Sequence, residues 1–392
     1  MKNNISKELI QIFKSNFRFK SLNLHEPDLN VDEVKFLKKC IFTNEVSAAG
    51  KFVSKFENEI SKLTKSKHVI ATNSGTSALH IACILAGLKE QEEVIIPSFT
   101  FVAAANAVMY CSAIPHFVDI EEQSFGIDPE KLRRYLSEIT IVKKGICINK
   151  LSGRKIRAII PVHIFGHPIK IEEIIDVASE FNLLVIEDAA EAIGSYYKST
   201  HVGKFGNIGI LSFNGNKTIT CGAGGAILTE DKLLADQARH LISTAKKSNS
   251  YNYIHDRLGF NYRMPNINAA IGYSQIKRIK KILKNKRKLF FLYSKIFRKQ
   301  QYFKLLSEPT HCRSNYWLQT ILIDKKFSHL TTQIINDLNK VNIHIRPGWE
   351  LMTNLKYFNA CPRMETSIAK EVSKRIINIP SSSFLINQIK NS

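Results

Sequence analysis

The chain has 392 residues, 44% of them hydrophobic and 23% charged, enough to bury one large core and a smaller one. That balance excludes intrinsic disorder and a short disulfide scaffold, and no stretch approaches the roughly 18–20 uninterrupted apolar residues of a bilayer span. Lys and Arg number 56 against 34 Asp and Glu, a formal charge of +22, which taken alone admits nucleic acid, an anionic membrane surface or a phosphorylated substrate.

Asn30 before Val31-Asp32-Glu33 reads as a capping box opening a helix through Leu37, and Phe52, Phe56, Ile60 and Leu63 then repeat at helical spacing. His68 to Thr72 reads as a strand, Asn73-Ser74-Gly75 as a turn, and Thr76 to Ala86 as a helix. Further strands are expected at 94–96, 114–118, 158–162, 183–186, 208–213 and 226–228, with helical stretches between several of them. This is an α/β pattern with a mostly parallel sheet covered on both faces. Beyond about residue 270 the character changes: a basic helix over 277–288, an alternating stretch over 317–323, and a final helix near Ile368–Ile377. The expected division is an N-terminal segment with a large α/β domain over 1–270, and a small α+β domain over 271–392.

In the basic helix Ile279, Ile282, Leu283 and Leu289 share one face while charges cover the others, the pattern of a solvated amphipathic helix. No nucleic-acid module accompanies it, so no nucleic-acid partner and no membrane partner is expected. The polar start, Met1-Lys2-Asn3-Asn4, carries no apolar signal core, and the expected compartment is the cytoplasm. Seven scattered cysteines form no Cys-x-x-Cys pair and read as reduced thiols. His163 and His167 have the spacing of one helical face, but Gly166 and Pro168 argue against a helix there, and no metal site is expected.

Three segments can carry chemistry. Leu183 to Asp188 is an apolar strand ending in two carboxylates, at the sheet edge where ligands of α/β folds collect. A carboxylate there can hold a metal, act as a base, hold a protonated ring nitrogen or simply cap the next helix. Asn73-Ser74-Gly75-Thr76-Ser77 places Gly and hydroxyls at a helix start, where successive N–H groups can face a phosphate, although an ordinary cap has the same composition. It is neither Gly-x-Gly-x-x-Gly nor Gly-x-x-x-x-Gly-Lys, which counts against nicotinamide dinucleotides and P-loop nucleotides. Ser212 to Lys217, followed by Gly222-Ala223-Gly224-Gly225, is a strand entering a glycine-dense loop with one lysine, which beside an aldehyde could form a Schiff base. Asp188, then Lys217, with a hydroxyl-and-glycine turn upstream, is the set that pyridoxal phosphate chemistry uses: phosphate cradle, ring-nitrogen partner and amine.

The chain resembles the DegT/StrS-type sugar aminotransferases from about residue 24 to 384. The motifs that carry the likeness are Asn73-Ser74-Gly75-Thr76-Ser77-Ala78-Leu79, Pro97 to Ala103, Glu187-Asp188-Ala189-Ala190-Glu191, Ser212-Phe213-Asn214-Gly215-Asn216-Lys217 and Gly259 to Met264. The resemblance implies the aspartate-aminotransferase fold (fold type I), pyridoxal 5'-phosphate as cofactor, and amination of a nucleotide-linked keto sugar. It implies that Lys217 is the amine joined to the cofactor, that Asp188 pairs with the pyridine nitrogen, that Gly75, Thr76 and Ser212 hold the phosphate, and that Phe101 stacks on the ring. Asn261 and Arg263 lie in a segment that family members present to the neighbouring subunit's cofactor site, which implies a homodimer with shared sites. Glu191 is a variation, since many relatives carry Gln or His there. Leu24-His25-Glu26-Pro27, residues 147–154, 244–246 and 253–256, Ser314 to Leu318, Arg346-Pro347-Gly348-Trp349 and Ile379 to Ser382 resemble one branch. That branch makes UDP-N-acetylbacillosamine-type sugars for legionaminic acid and related glycans with L-glutamate as donor, and the GDP-perosamine branch is the alternative. His163, Arg346 and Trp349 are the expected sugar-nucleotide contacts. A related sugar dehydratase usually has His in place of the lysine, so Lys217 counts against it, and a non-catalytic regulatory relative is the reading from another class.

Overall fold

The computed structural model describes residues 2–247 and 252–390, so the outermost ends of the two expected domains, and 248–251 within the first, lie outside it. Its centre is a seven-stranded sheet. In chain order the strands are β1 (His68–Thr72), β2 (Glu93–Pro97), β3 (Ile114–Val118), β4 (Ile156–Ile159), β5 (Leu184–Asp188), β6 (Ile208–Ser212) and β7 (Gly225–Thr229). They lie side by side as β1-β7-β6-β5-β4-β2-β3. Every neighbouring pair from β6 to β3 is parallel, and β7 runs antiparallel to both β1 and β6. Helices cover both faces, and the strands are accordingly continuous Val/Ile/Leu runs rather than alternating ones. The fourth strand begins and ends earlier than its apolar run suggests. After Ile159 the chain follows its neighbours only through single contacts, such as the bridge of Val162 to Asp188.

The smaller part holds a four-stranded antiparallel sheet, β8 (Phe303–Leu305), β9 (Gln319–Ile323), β10 (Arg346–Pro347) and β11 (Ile376–Ile379), in the order β8-β9-β11-β10. Two expectations need correction here. The final helix spans only Ser367–Ser373, and the following Ile376-Ile377 pair is strand: these β-branched side chains are fully buried between two strands, where they pack better than on a helix. The N-terminal helix α1 (Lys2–Asn16) does not join the large domain. Ile5, Leu9 and Phe13 pack with Tyr293, Ile334 and Ile377 in the small domain's core, and Phe17 bridges to Ile389. The expected capping box is formed: Asn30 accepts from Asp32 N, and Glu33 reaches back to the Asn30 N–H.

Two other helices position the site. Helix α2 (Gly75–Leu85) leaves β1 and lies almost wholly buried against the sheet. Helix α3 (Ile279–Phe297) carries the basic run, with Ile279, Ile282, Leu289, Tyr293 and Phe297 buried. It departs from the solvated-face expectation at one place, since Lys286 is buried with them.

Candidate active site

Because β7 is antiparallel to both neighbours, β1, β5 and β6 point the same way and their C-terminal ends share one edge of the sheet. In register, Thr72, Gly225 and Ser212 form one row across β1, β7 and β6. Gly225 is required in the middle of that row: a Cβ there would stand 2.4 Å from Ser74 O and 2.6 Å from Gly75 N. Gly75 is just as confined, with its Cβ position 2.9 Å from Ser212 Cβ and 3.0 Å from its Oγ. The two glycines let the start of α2 descend onto the strand ends. Ser74 caps that helix, its Oγ accepting from Ser77 N at 3.0 Å, while Gly75 and Thr76 line an adjoining cavity together with Ser212. Backbone N–H groups at the positive end of a helix dipole, with two hydroxyls, make an anion cradle.

The cavity has a volume of about 250 Å³, and Asp188, Glu191 and Lys217 project into its far side. Asp188 ends β5 and accepts from Ala190 N at 3.0 Å. Burial pushes its carboxyl above the ordinary range, against the Ala190 N–H and the nearby Lys217 charge. Lys217 sits in the loop after β6. Its Nζ donates to Glu191 Oε1 at 3.2 Å and stands 4.0 Å above the centre of the Trp317 ring. The Trp317 Nε1 in turn donates to Asn216 O at 2.7 Å, so the indole is fixed to the residue next to the lysine. Glu191 Oε2 accepts from Phe165 N at 2.8 Å. Burial pushes the Glu191 carboxyl up to about 7, opposed by Lys217 and the Phe165 N–H.

This shift has a measurable sign. The folded, cofactor-free chain holds the Glu191 proton up to about pH 7, whereas the unfolded chain releases it near 4.5, the ordinary value. The group's contribution to stability is therefore present below the lower value and lost as the pH rises through the upper one. Relative to Glu191→Gln, wild type should lose roughly 3 kcal/mol across that window. Thermal unfolding of both proteins as a function of pH checks this, and parallel pH profiles would contradict it.

Of the residues expected at the site, Gly75, Thr76, Phe101, Asp188, Glu191, Ser212 and Lys217 line this one cavity. His163 does not. Its ring is fully buried, Nε2 donates to Glu187 at 2.9 Å and Nδ1 accepts from Ile169 N at 3.2 Å, so neither nitrogen is free for a sugar. Its main-chain N–H donates to Asp188 O at 3.0 Å, which makes it a support for the strand end. Trp349 is set one layer out, its ring 4.9 Å from Phe165 and 6.3 Å from Phe101. Arg346 is exposed on β10. Asn261 and Arg263 are exposed beside β1, away from the lining of the cavity: Asn73 donates to Asn261 O at 3.4 Å, and Arg263 donates to Ala48 O at 2.6 Å. Thr100, Asn214, Ala223 and Gly224 are among the other residues of the lining. Asn315 was not given a role by the sequence, yet its amide donates to Glu191 O, Ile193 O and Thr218 Oγ1 at 2.8, 2.9 and 3.2 Å and pins the loop that carries the glutamate.

An anion cradle, a carboxylate and an amine around one cavity suit pyridoxal phosphate part by part, and a sequence-family model decides the matter: it matches residues 27–388 and is described as the DegT/DnrJ/EryC1/StrS aminotransferase family. The chain belongs to that family. This aminotransferase is 33% identical to the GDP-perosamine synthase of Vibrio cholerae over 364 residues, 91% of this chain and 93% of that one. It is 30% identical over 335 residues to the UDP-4-amino-4,6-dideoxy-N-acetyl-beta-L-altrosamine transaminase of Campylobacter jejuni, 82% and 83% of the two chains. Its fold matches Helicobacter pylori PseC, an aminotransferase involved in the biosynthesis of pseudoaminic acid, with a TM-score of 0.83 at 23% identity over 92% and 94% of the chains. The protein is thus a pyridoxal-phosphate-dependent sugar aminotransferase of fold type I. Among the described residues no helix is long and apolar enough to cross a membrane.

Proposed function

We propose that this aminotransferase moves the amino group of L-glutamate to carbon 4 of a UDP-linked 4-keto-6-deoxy-N-acetylhexosamine, giving a UDP-N-acetylbacillosamine-type sugar for legionaminic acid or related glycans. The observation that carries the deoxy-sugar part is the aromatic wall at the cavity mouth. Phe101 lines the cavity yet is 53% exposed, and Trp349 joins it to the buried Phe99 and Phe165. Such a surface suits the methyl groups of a 6-deoxy, N-acetylated ring better than a fully hydroxylated one. The stretches around His25, Ser314–Leu318 and Arg346–Trp349 support the bacillosamine-type branch.

Bound pyridoxal phosphate supplies an electron sink that makes the substrate's carbon-bound proton acidic. The chain's residues do the rest. Gly75, Thr76 and Ser212 bind the phosphate, Asp188 as a carboxylate holds the ring nitrogen in its protonated form, and Phe101 covers the ring. The Lys217 amine takes the proton from the donor carbon in one half reaction and delivers a proton to sugar carbon 4 in the other. Glu191 beside it receives or returns the amine's hydrogen bond. The exposed Asn261 and Arg263 support a homodimer in which each copy completes the other's site.

A second reading, GDP-perosamine synthesis, is favoured by the longer coverage and higher identity to the Vibrio cholerae enzyme. The two separate on one experiment. Enzyme loaded with cofactor is converted by glutamate, the sugar is added, and the cofactor absorption is followed. Return of the starting band with UDP-linked 4-keto-6-deoxy-N-acetylglucosamine, and not with GDP-linked 4-keto-6-deoxymannose, is the expected result. The reverse preference would transfer the assignment to the GDP branch.

A further inference from the structure

Lys286 is fully buried on α3, one of the few charged side chains removed from solvent in this molecule. Its Nζ donates to Ser381 O at 2.7 Å, to His25 Nε2 at 3.0 Å and to Trp317 O at 3.1 Å. No carboxylate is among these partners. An ammonium without a counter-charge is costly to bury, and here burial pushes its pKa down to about 7. Packing alone would be served as well by Leu or Met at this position. What distinguishes the lysine is the set of segments it joins: the N-terminal stretch before the first large-domain helix, the turn into β9 and the chain leaving β11.

One of these partners touches the reaction. Trp317, whose carbonyl Lys286 holds, places its ring face 4.0 Å from Lys217 Nζ and donates its Nε1 to the carbonyl of Asn216. His25 accepts from the same ammonium. Burial first, then the charges of Lys286 and Lys217, hold its imidazole well below the ordinary range, while the Asn216 backbone opposes them. The ring accepts from Lys286 at Nε2, and its Nδ1 is buried without a hydrogen-bond partner. The lysine-bearing turn is therefore gripped through Trp317, and Lys286, itself held by His25, fixes that grip.

We propose that Lys286, acting with His25, is a positioning residue for amino transfer: it fixes Trp317 and the Asn216–Lys217 turn so that the Lys217 amine keeps its orientation in the cavity. The proposal rests on Lys217 as the catalytic amine. It assigns no substrate or cofactor contact to Lys286 itself.

Lys286→Met fills the space without the charge. In the cofactor-loaded enzyme, the single-turnover rate with glutamate should fall tenfold or more while the glutamate Kd changes less than twofold. Trp317 and Trp349 are the only tryptophans, so in a cofactor-free Trp349→Phe background the emission of Trp317 should shift when Lys286→Met is added. His25→Gln retains an acceptor near the Nε2 position and should stay within about threefold of wild type, whereas His25→Ala should reproduce the Lys286→Met defect. A folded Lys286→Met enzyme with a rate within twofold of wild type and unmoved Trp317 emission overturns the proposal. If Lys286→Met does not fold, the same two readouts in His25→Ala decide it in the same way. Amino transfer by a Lys217→Ala enzyme would instead remove the underlying reading of the site, whatever Lys286 does.

Discussion

Lys217→Ala should lower amino transfer by at least about a thousandfold, the scale of losing the positioned acid–base group and cofactor-anchoring amine proposed for it. The side chain is enclosed by Glu191 and Trp317 rather than holding any secondary structure, since its contacts are one hydrogen bond and one ring face. The variant should therefore keep its circular dichroism spectrum and its melting midpoint within a few degrees. Release of a carboxylate from the Glu191–Lys217 pair works in the opposite sense. With the cation gone, burial acts unopposed by Lys217 and the Glu191 carboxyl is driven further toward its protonated form. Single-turnover assays with glutamate and with keto sugar test both half reactions separately. Turnover within tenfold of wild type in either one would remove Lys217 from its role as proton carrier for that half.

The second large effect is expected at Asp188. An amide in its place has nearly the same shape and can still accept from Ala190 N, but it carries no charge to hold a protonated ring nitrogen. Asp188→Asn should slow both half reactions by roughly 10²–10³-fold, the usual scale for removing one preorganised electrostatic partner, with the cavity intact. The bare carboxyl is already destabilised by burial, so its charged form gains most from a cationic partner arriving in the cavity. Cofactor affinity, measured by equilibrium titration, should therefore weaken as well. Wild-type affinity combined with a rate loss below tenfold would mean that Asp188 only caps the strand.

The cavity residues proposed to do chemistry were legible because each lies at a local junction whose composition is unusual. Asp188 ends an apolar strand, Gly75 opens a helix after one, and Lys217 sits in a glycine-dense loop. The sheet itself followed from long Val/Ile/Leu runs. Side-chain direction at a strand end was not legible: His163 belongs to the same sheet edge as Asp188, but its ring turns into the interior toward Glu187, the residue before Asp188, whose own side chain points to the opposite side of β5. Despite burial, His163 and the N–H groups of Gly203 and Gly206 hold the Glu187 carboxyl below its ordinary range, which marks a structural pair. Lys286 could have been found from spacing. Ile279, Ile282, Lys286, Leu289 and Tyr293 recur every three or four residues, placing the lysine on the apolar stripe of an otherwise basic helix. The roles of Asn315 and Trp317 depend on contacts with residues about a hundred positions earlier, and no local pattern encodes those.

Thr72, Gly225 and Ser212 stand in one row across three strands, so the anion cradle has no existence apart from the completed sheet edge. The strand that supplies its middle member enters the sheet between two strands already distant from each other in the chain, a non-local pairing of the kind that forms late in folding. A ligand held there binds only the fully paired state and shifts the folding equilibrium of the whole large domain by mass action, rather than ordering one loop. Local fraying that parts β7 from its neighbours releases the ligand in the same event. A cofactor bound at this edge would therefore raise the resistance of the whole large domain to proteolysis, not of one loop alone.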